Sequence, residues 1–321
     1  MVDPDGSTLA AEQPTKPRPD KGVPAVDRSR RVRRVSGTDR TVVTLMVAVP
    51  TFIVVSLVVL PALATVALSF ARWTGIGGLS TIQWIGTENY KNVFTNYPPF
   101  QPAIEHNLLW LAVFFFLATP FGMFLAVLLD KDIKGGRFYQ TALYLPVVLS
   151  LALVAFIWQL FYSRDQGLIN GVFGTTVDWY GDSSVNIWAV MVAASWRHVG
   201  YIMLLYLAGL KGVDPSLREA AAMDGASQVR TFFQVVFPVL RPINIIVVMI
   251  TVIEALRAFD IVWVVNKGRN GLELISALVT QNVVGEASRI GFGSALATIM
   301  LVISLFFVSA YVVTVMREDE R

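Results

Sequence analysis

Long apolar runs alternate with polar connectors along the chain. The runs lie at about 41–70, 107–129, 139–162, 187–210, 243–265 and 290–315. A helix rises about 1.5 Å per residue, so roughly 20 apolar residues cross about 30 Å of hydrocarbon. Every backbone polar group must be satisfied internally in lipid, which favours helices. The pattern therefore predicts an all-α membrane protein with six transmembrane helices over residues 41–321. Residues 1–40 break it: they are rich in Pro, Asp, Lys and Arg and predict a disordered tail.

Pro50 and Pro61 each remove an intrahelical hydrogen bond and can kink the first run. Ala62-Leu63-Ala64 has signal-peptidase spacing, but the preceding apolar run is too long for a signal peptide. Residues 71–106 are amphipathic and aromatic. Residues 163–186 hold Gly167, Asn170, Gly171, Gly174, Asp178, Gly181 and Asp182, a turn-rich connector. The last run opens with Gly291, Gly293, Ser294, Ala295 and Ala297, small residues that permit close helix packing in lipid.

The connector at 211–242 carries the most local information. Asp214-Pro215 is a helix start, with Asp as N-cap and Pro at the first helical position. The helix is expected to reach about Asp224, with Gly225 as the left-handed terminator and Ser227 capping a second helix. In that second helix Val229, Phe232, Phe233, Val236 and Phe237 form one apolar stripe, stopped by Pro238 and Pro242. Ala220, Ala221, Ala222, Gly225 and Ala226 give the first helix little side-chain bulk, while Glu219 and Asp224 supply charge. Such a helix lets another surface approach its backbone. On local physics alone it reads equally as a connector between spans.

Composition supports a membrane protein: 55% of the 321 residues are apolar and 15% charged. A net charge of +3 is too small to imply nucleic acid, and no nucleic-acid partner is expected. No cysteine is present, which excludes disulfides, thiolate zinc sites and thiol catalysis. His106 and His198 supply too few ligands for a histidine-based metal site. The distribution of Lys and Arg is uneven: six in 28–40, three in 130–138, four in 211–242 and two in 316–321, against six in 71–106, 163–186 and 266–289 together. The positive-inside rule places both termini and the 211–242 connector in the cytoplasm, and the Arg28 to Arg40 cluster at the lipid headgroups.

Charges at membrane depth usually face a cavity or a partner. Arg197 follows Trp196 in the fourth run, and Glu254, Arg257 and Asp260 follow one another at intervals of three in the fifth. They either neutralise one another inside the protein or line a pathway, with Trp196, Tyr201 and Trp263 offering faces to a sugar ring. No G-x-x-x-x-G-K-[ST] phosphate loop occurs and no cluster has nucleophile and base spacing, so no catalytic residue and no cofactor is expected in this chain.

The order E-A-A-x-x-D-G-A, then F and P, in Glu219, Ala220, Ala221, Asp224, Gly225, Ala226, Phe232 and Pro238 resembles the signature loop of the permease subunits of binding-protein-dependent ABC importers. It looks most like the sugar and glycerol-phosphate (maltose-type) branch. The G-x-x-N-Y-x-x-x-F order at Gly86, Asn89, Tyr90 and Phe94, the Gly291-x-Gly293-x-Ala295 order and the pair Phe259-Asp260 resemble the same family. The G-G-P turn that often follows is here Gly268-Arg269-Asn270-Gly271. The resemblance implies a type I importer permease fold with six spans and a cytoplasmic coupling helix at 214–226 docking on a separate ATPase subunit, which binds the ATP and Mg. In that scheme Glu219 makes polar contacts to the ATPase, Gly225 sets the turn, and Ala220 and Ala221 permit close approach. The implied partners are a second permease subunit, usually different, two ATPase copies and an extracytoplasmic solute-binding protein, in a bacterial cell membrane. A sugar or oligosaccharide is the expected cargo. Glycerol 3-phosphate received by Arg197 and Arg257, or a secondary transporter with Glu254 or Asp260 carrying a proton, are the alternatives.

Overall fold

The computed structural model describes residues 37–131, 133–285 and 288–319. The expectations for the basic tail before residue 37 fall outside them. The described residues fall into two compact units, 37–57 and 58–319. The first contains α1 (Gly37–Val54), whose residues from Arg40 onward are all exposed and nearly all apolar from Val42. Such a helix suits a surrounding of lipid rather than water.

The second unit opens with α2 (Leu60–Leu68) and a two-residue antiparallel ribbon, β1 (Ala71–Arg72) against β2 (Gln83–Trp84). There follow α3 (Glu88–Thr95), α4 (Phe100–Asp130), α5 (Gly136–Val148), α6 (Leu151–Phe161) and α7 (Leu168–Phe173). Next come α8 (Asn186–Lys211), α9 (Pro215–Met223), α10 (Gln228–Val239) and α11 (Arg241–Leu256). The described chain closes with α12 (Asp260–Asn266), α13 (Ile275–Val283) and α14 (Ile290–Asp319).

Four helical stretches are long and apolar enough to cross a bilayer: Arg40–Leu68, α4, α8 and Ile290–Val313, of 29, 31, 26 and 24 residues. Two further stretches are bent pairs, α5 with α6 at 106° and α10 with Arg241–Asn266 at 79°. The described residues therefore hold four such helices, or six if each bent pair is one span. The runs at 139–162 and 243–265 are not the straight helices expected. In the first, Ser150 is extended and starts α6 afresh, its Oγ accepting from the Leu153 amide at 3.2 Å. In the second, helix stops at Leu256 and resumes at Asp260, and the Ala258 carbonyl within the break accepts from Ser276 Oγ at 2.5 Å. Glu254, Arg257 and Asp260 consequently do not form a continuous helical ladder.

Within the second unit α8 is the central helix, packed on α4, α5 and α6. Glycines make the approach possible: a Cβ at Gly122 of α4 would lie 2.9 Å from the Val199 carbonyl oxygen, and one at Gly200 would lie 2.4 Å from that of Leu143. Trp110, Phe114, Met191 and Ile261 centre one buried cluster; Ile202, Met203, Val236 and Leu240 centre another. Wide π turns occur at Val55–Val59, Phe114–Ala118 and Phe232–Val236. Each lies just before a proline, Pro61, Pro120 or Pro238, whose ring would clash with the carbonyl four residues back in a regular helix.

The Asn89-Tyr90 pair ties α3 to the end of α2. Asn89 Nδ2 donates to the Ser69 and Ala71 carbonyls at 2.8 and 2.9 Å, and the Tyr90 hydroxyl lies 2.6 Å from Ser69 Oγ. Gly291 is equally constrained, since a Cβ there would meet the Ala71 carbonyl oxygen at 1.9 Å.

Candidate functional site

The 211–242 connector folds as a short helix followed by a longer one. Asp214 Oδ1 accepts the Ser216 amide at 2.9 Å and Pro215 opens α9. That amide holds the Asp214 carboxyl below its ordinary range. At the other end Asp224 caps α9 and Gly225 takes φ +74°. The Ala226 amide reaches back to the Ala221 carbonyl and the Gly225 amide to that of Ala222, both at 3.0 Å, a Schellman closure. Ser227 then caps α10 by accepting the Arg230 amide at 3.3 Å. These local elements fall where the sequence places them.

Exposure sorts the residues. Ala221 is buried, whereas Glu219, Ala220, Ala222, Asp224, Gly225 and Pro238 are exposed and Ala226 and Phe232 half-buried. The expected apolar stripe of α10 is not one buried face: only Val236 is buried, while Val229 and Phe233 point outward. Phe233 is 58% exposed, Val229 68% and the neighbouring Met223 89%, an apolar patch beside the side-chain-poor helix. The wide turn at Phe232–Val236 accounts for the difference, because it breaks the spacing on which the stripe was read.

Behind this surface lies a polar junction that periodicity does not reveal. Asp130, the last residue of α4, receives Arg218 Nη1 at 2.7 Å and Lys211 Nζ at 3.3 Å. Lys131 Nζ donates to Gln228 Oε1 at 2.9 Å. A cleft of about 460 Å³ between them is lined by Asp130, Arg218, Ala222, Gln228 and Phe232. Its members are separated by up to about 100 positions in the sequence, so spacing carried no signal for it.

The intramembrane candidates divide among several places. Arg197 Nη1 lies 3.7 Å from Glu254 Oε2, and its Nε donates at 3.3 Å to the Leu149 carbonyl at the α5–α6 break. Beside this pair His198 Nε2 lies 3.4 Å from Thr119 Oγ1 and 3.3 Å from Thr251 Oγ1, with the Phe114 ring stacked on its imidazole at 4.3 Å. Arg257 and Asp260 are exposed, and Arg257 does not pair with Glu254. Trp196 meets Trp158 edge-on at 5.9 Å and lines an apolar groove of about 670 Å³ with Phe121 and Trp188. Trp263 stacks on Phe259 at 5.2 Å and lines a different, polar cavity of about 610 Å³ with Tyr97, Lys267, Asn282 and Arg289. Tyr201 is half-buried one turn along α8 from Arg197. Thr119 and Thr251 went unnoticed in the sequence because a hydroxyl in an apolar run has no distinctive spacing. Among the described residues no group of three His, Asp or Glu is placed to hold a metal ion.

Known proteins resemble this chain in sequence and in fold. The family profile described as "Binding-protein-dependent transport system inner membrane component" matches residues 118–318. The probable ABC transporter permease protein YurN of Bacillus subtilis is 28% identical over 267 residues, covering 80% of this chain and 90% of its own. The xylose/arabinose import permease protein XacH of Haloferax volcanii is 31% identical over 255 residues, 76% of this chain and 78% of its own. A chain of the bacterial alginate ABC transporter, solved in complex with an alginate pentasaccharide-bound periplasmic protein, superposes with a TM-score of 0.73 at 19% identity, covering 85% of this chain and 93% of that one. The match across α4 to α14, including the Glu219–Pro238 loop, establishes that this chain belongs to the family of inner membrane components of binding-protein-dependent transport systems.

Proposed function

We propose that the chain is the permease subunit of an ATP-driven importer of a sugar or oligosaccharide and forms half of its translocation pathway. With six spans both termini lie on one side of the membrane, and the Lys and Arg distribution favours the cytoplasm for them and for the 211–242 loop. The observation that carries the reading is the α9 surface. Its exposed, side-chain-poor face at Ala220, Ala222 and Gly225, flanked by Glu219 and Asp224 and continued by Met223 and Phe233, suits close docking against a separate ATPase. That ATPase binds the ATP and Mg, and its closure rocks the spans between inward and outward openings. The remaining partners are a second, different permease chain, a second ATPase copy and an extracytoplasmic solute-binding protein, with the lipid bilayer around them.

The cargo assignment follows two supports. XacH is a xylose/arabinose permease and the alginate transporter carries a polysaccharide. Within this chain, pairing of Arg197 with Glu254 removes one of two cations on which glycerol 3-phosphate would rest, favouring a saccharide. Trp196, Arg197, Tyr201, Glu254, Arg257, Asp260 and Trp263 remain the residues proposed to border the pathway.

Gly225→Pro forces a backbone at φ +74° toward about −65°, which proline cannot avoid. This variant and Glu219→Lys are expected to insert normally yet abolish uptake and solute-stimulated ATP hydrolysis. Normal uptake by both overturns the docking role. Purification of the native complex separates this reading from a proton-coupled carrier: a co-purifying ATPase supports it, and proton-driven uptake by the isolated chain opposes it. Thermal shifts of the cognate binding protein against a sugar panel identify the cargo.

A further inference from the structure

Asp130 sits where three elements of the second unit meet. Its carboxylate is 9% exposed and takes Arg218 of α9 at 2.7 Å on one oxygen and Lys211 of α8 at 3.3 Å on the other. Arg218 Nη2 also donates to the Leu210 carbonyl at 3.4 Å, and Lys211 Nζ to the Asp130 carbonyl at 3.4 Å. Of the three helices, α4 and α8 pack closely, since a Cβ at Gly122 would lie 2.9 Å from both the Val199 carbonyl oxygen and Ile202. Further along the same two helices, Thr119 and Phe114 of α4 grip His198 of α8. The nearly buried carboxylate is thus held by two partly exposed bases that also reach backbone carbonyls, a directional arrangement, and removing Arg218 takes away its closest cation.

We infer that Asp130 is the positioning residue that fixes α9 to the α4–α8 pair, so that displacement of the docking helix moves those two membrane helices as a unit. The inference rests on the docking role proposed above. Asp130 lies behind α9, not on its exposed face, so its charge acts on transmission and not on ATPase capture.

The test uses the complete transporter with its ATPase and binding protein in proteoliposomes, comparing Asp130→Asn, Asp130→Glu and Arg218→Gln. Asp130→Asn and Arg218→Gln are expected to keep the ATPase bound through purification while maximal uptake and solute-stimulated hydrolysis fall about tenfold. The KM for liganded binding protein stays unchanged, and Asp130→Glu retains most of the rate. Wild-type uptake in Asp130→Asn overturns the inference, as does loss of the bound ATPase or a change confined to KM. Loss of both neutral variants from the membrane also overturns it, since that is what a purely structural ion pair gives. A wild-type complex without an ATPase instead refutes the docking reading on which the inference stands.

Discussion

Asn89 illustrates how one side chain can close two backbone ends. It lies buried between the Ser69 and Ala71 carbonyls, both beyond the last regular turn of α2, and donates to each. Replacing it with Leu leaves both acceptors without their donor at a cost of about 1–3 kcal/mol. Thermal denaturation in detergent should register the loss, with Asn89→Gln recovering less than the native residue because its amide sits one bond further out. Asp214 gives a pH signature. Its folded-state pKa is depressed by the Ser216 amide, so the cap is fully present above the ordinary aspartate pKa and is lost as pH falls through the lowered folded value. A spin label at Ala222 should become more mobile over that acid range, and Asp214→Asn should abolish the response. The sequence made the Asp214, Gly225 and Ser227 roles legible because caps and left-handed terminators depend on neighbours within five positions. It could not show the Asp130 junction or the His198–Thr119–Thr251 contacts, which join residues far apart in the chain.

At the level of elements, length and apolarity located α1–α2, α8 and α14 close to their expected bounds, whereas α4 begins at Phe100, seven residues before the expected run at 107–129. Continuity was what they could not supply. Apolar residues fill both sides of the break at Ser150, so hydropathy runs through it without a dip, and at Arg257–Phe259 the flanking Glu254, Arg257 and Asp260 read as charges within one span rather than as the end of a helix. The breaks persist because freed backbone groups find partners: Ser150 Oγ for the Leu153 amide, Ser276 for the Ala258 carbonyl, Arg197 for the Leu149 carbonyl. The α4–α8 interface has the opposite character, with no slack. Gly122→Leu would drive a side chain into the Val199 carbonyl and Ile202, an overpacking cost of about 1–3 kcal/mol. A lowered melting temperature of the purified complex, with Gly122→Ala intermediate, is the expected result.

For the whole molecule, the absence of native cysteine allows direct mapping of sidedness. A single cysteine at Asp224 should react with a membrane-impermeant thiol reagent only from the cytoplasmic face, and one at Thr175 only from outside. The opposite pattern would reverse the proposed orientation and remove α9 from reach of any ATPase. The wide turn at Phe114–Ala118 bears on the same connection. It takes up one residue more than an α-helical turn, which shifts the phase of everything that follows by about 100°. Asp130 faces Arg218 only in that phase. Deleting Phe116 together with Pro120→Ala should let the winding become regular while Asp130 keeps its bearing, so a membrane helix one residue shorter still transports. Deleting Leu125, with no spare residue nearby to absorb the change, should turn the carboxylate away and silence uptake.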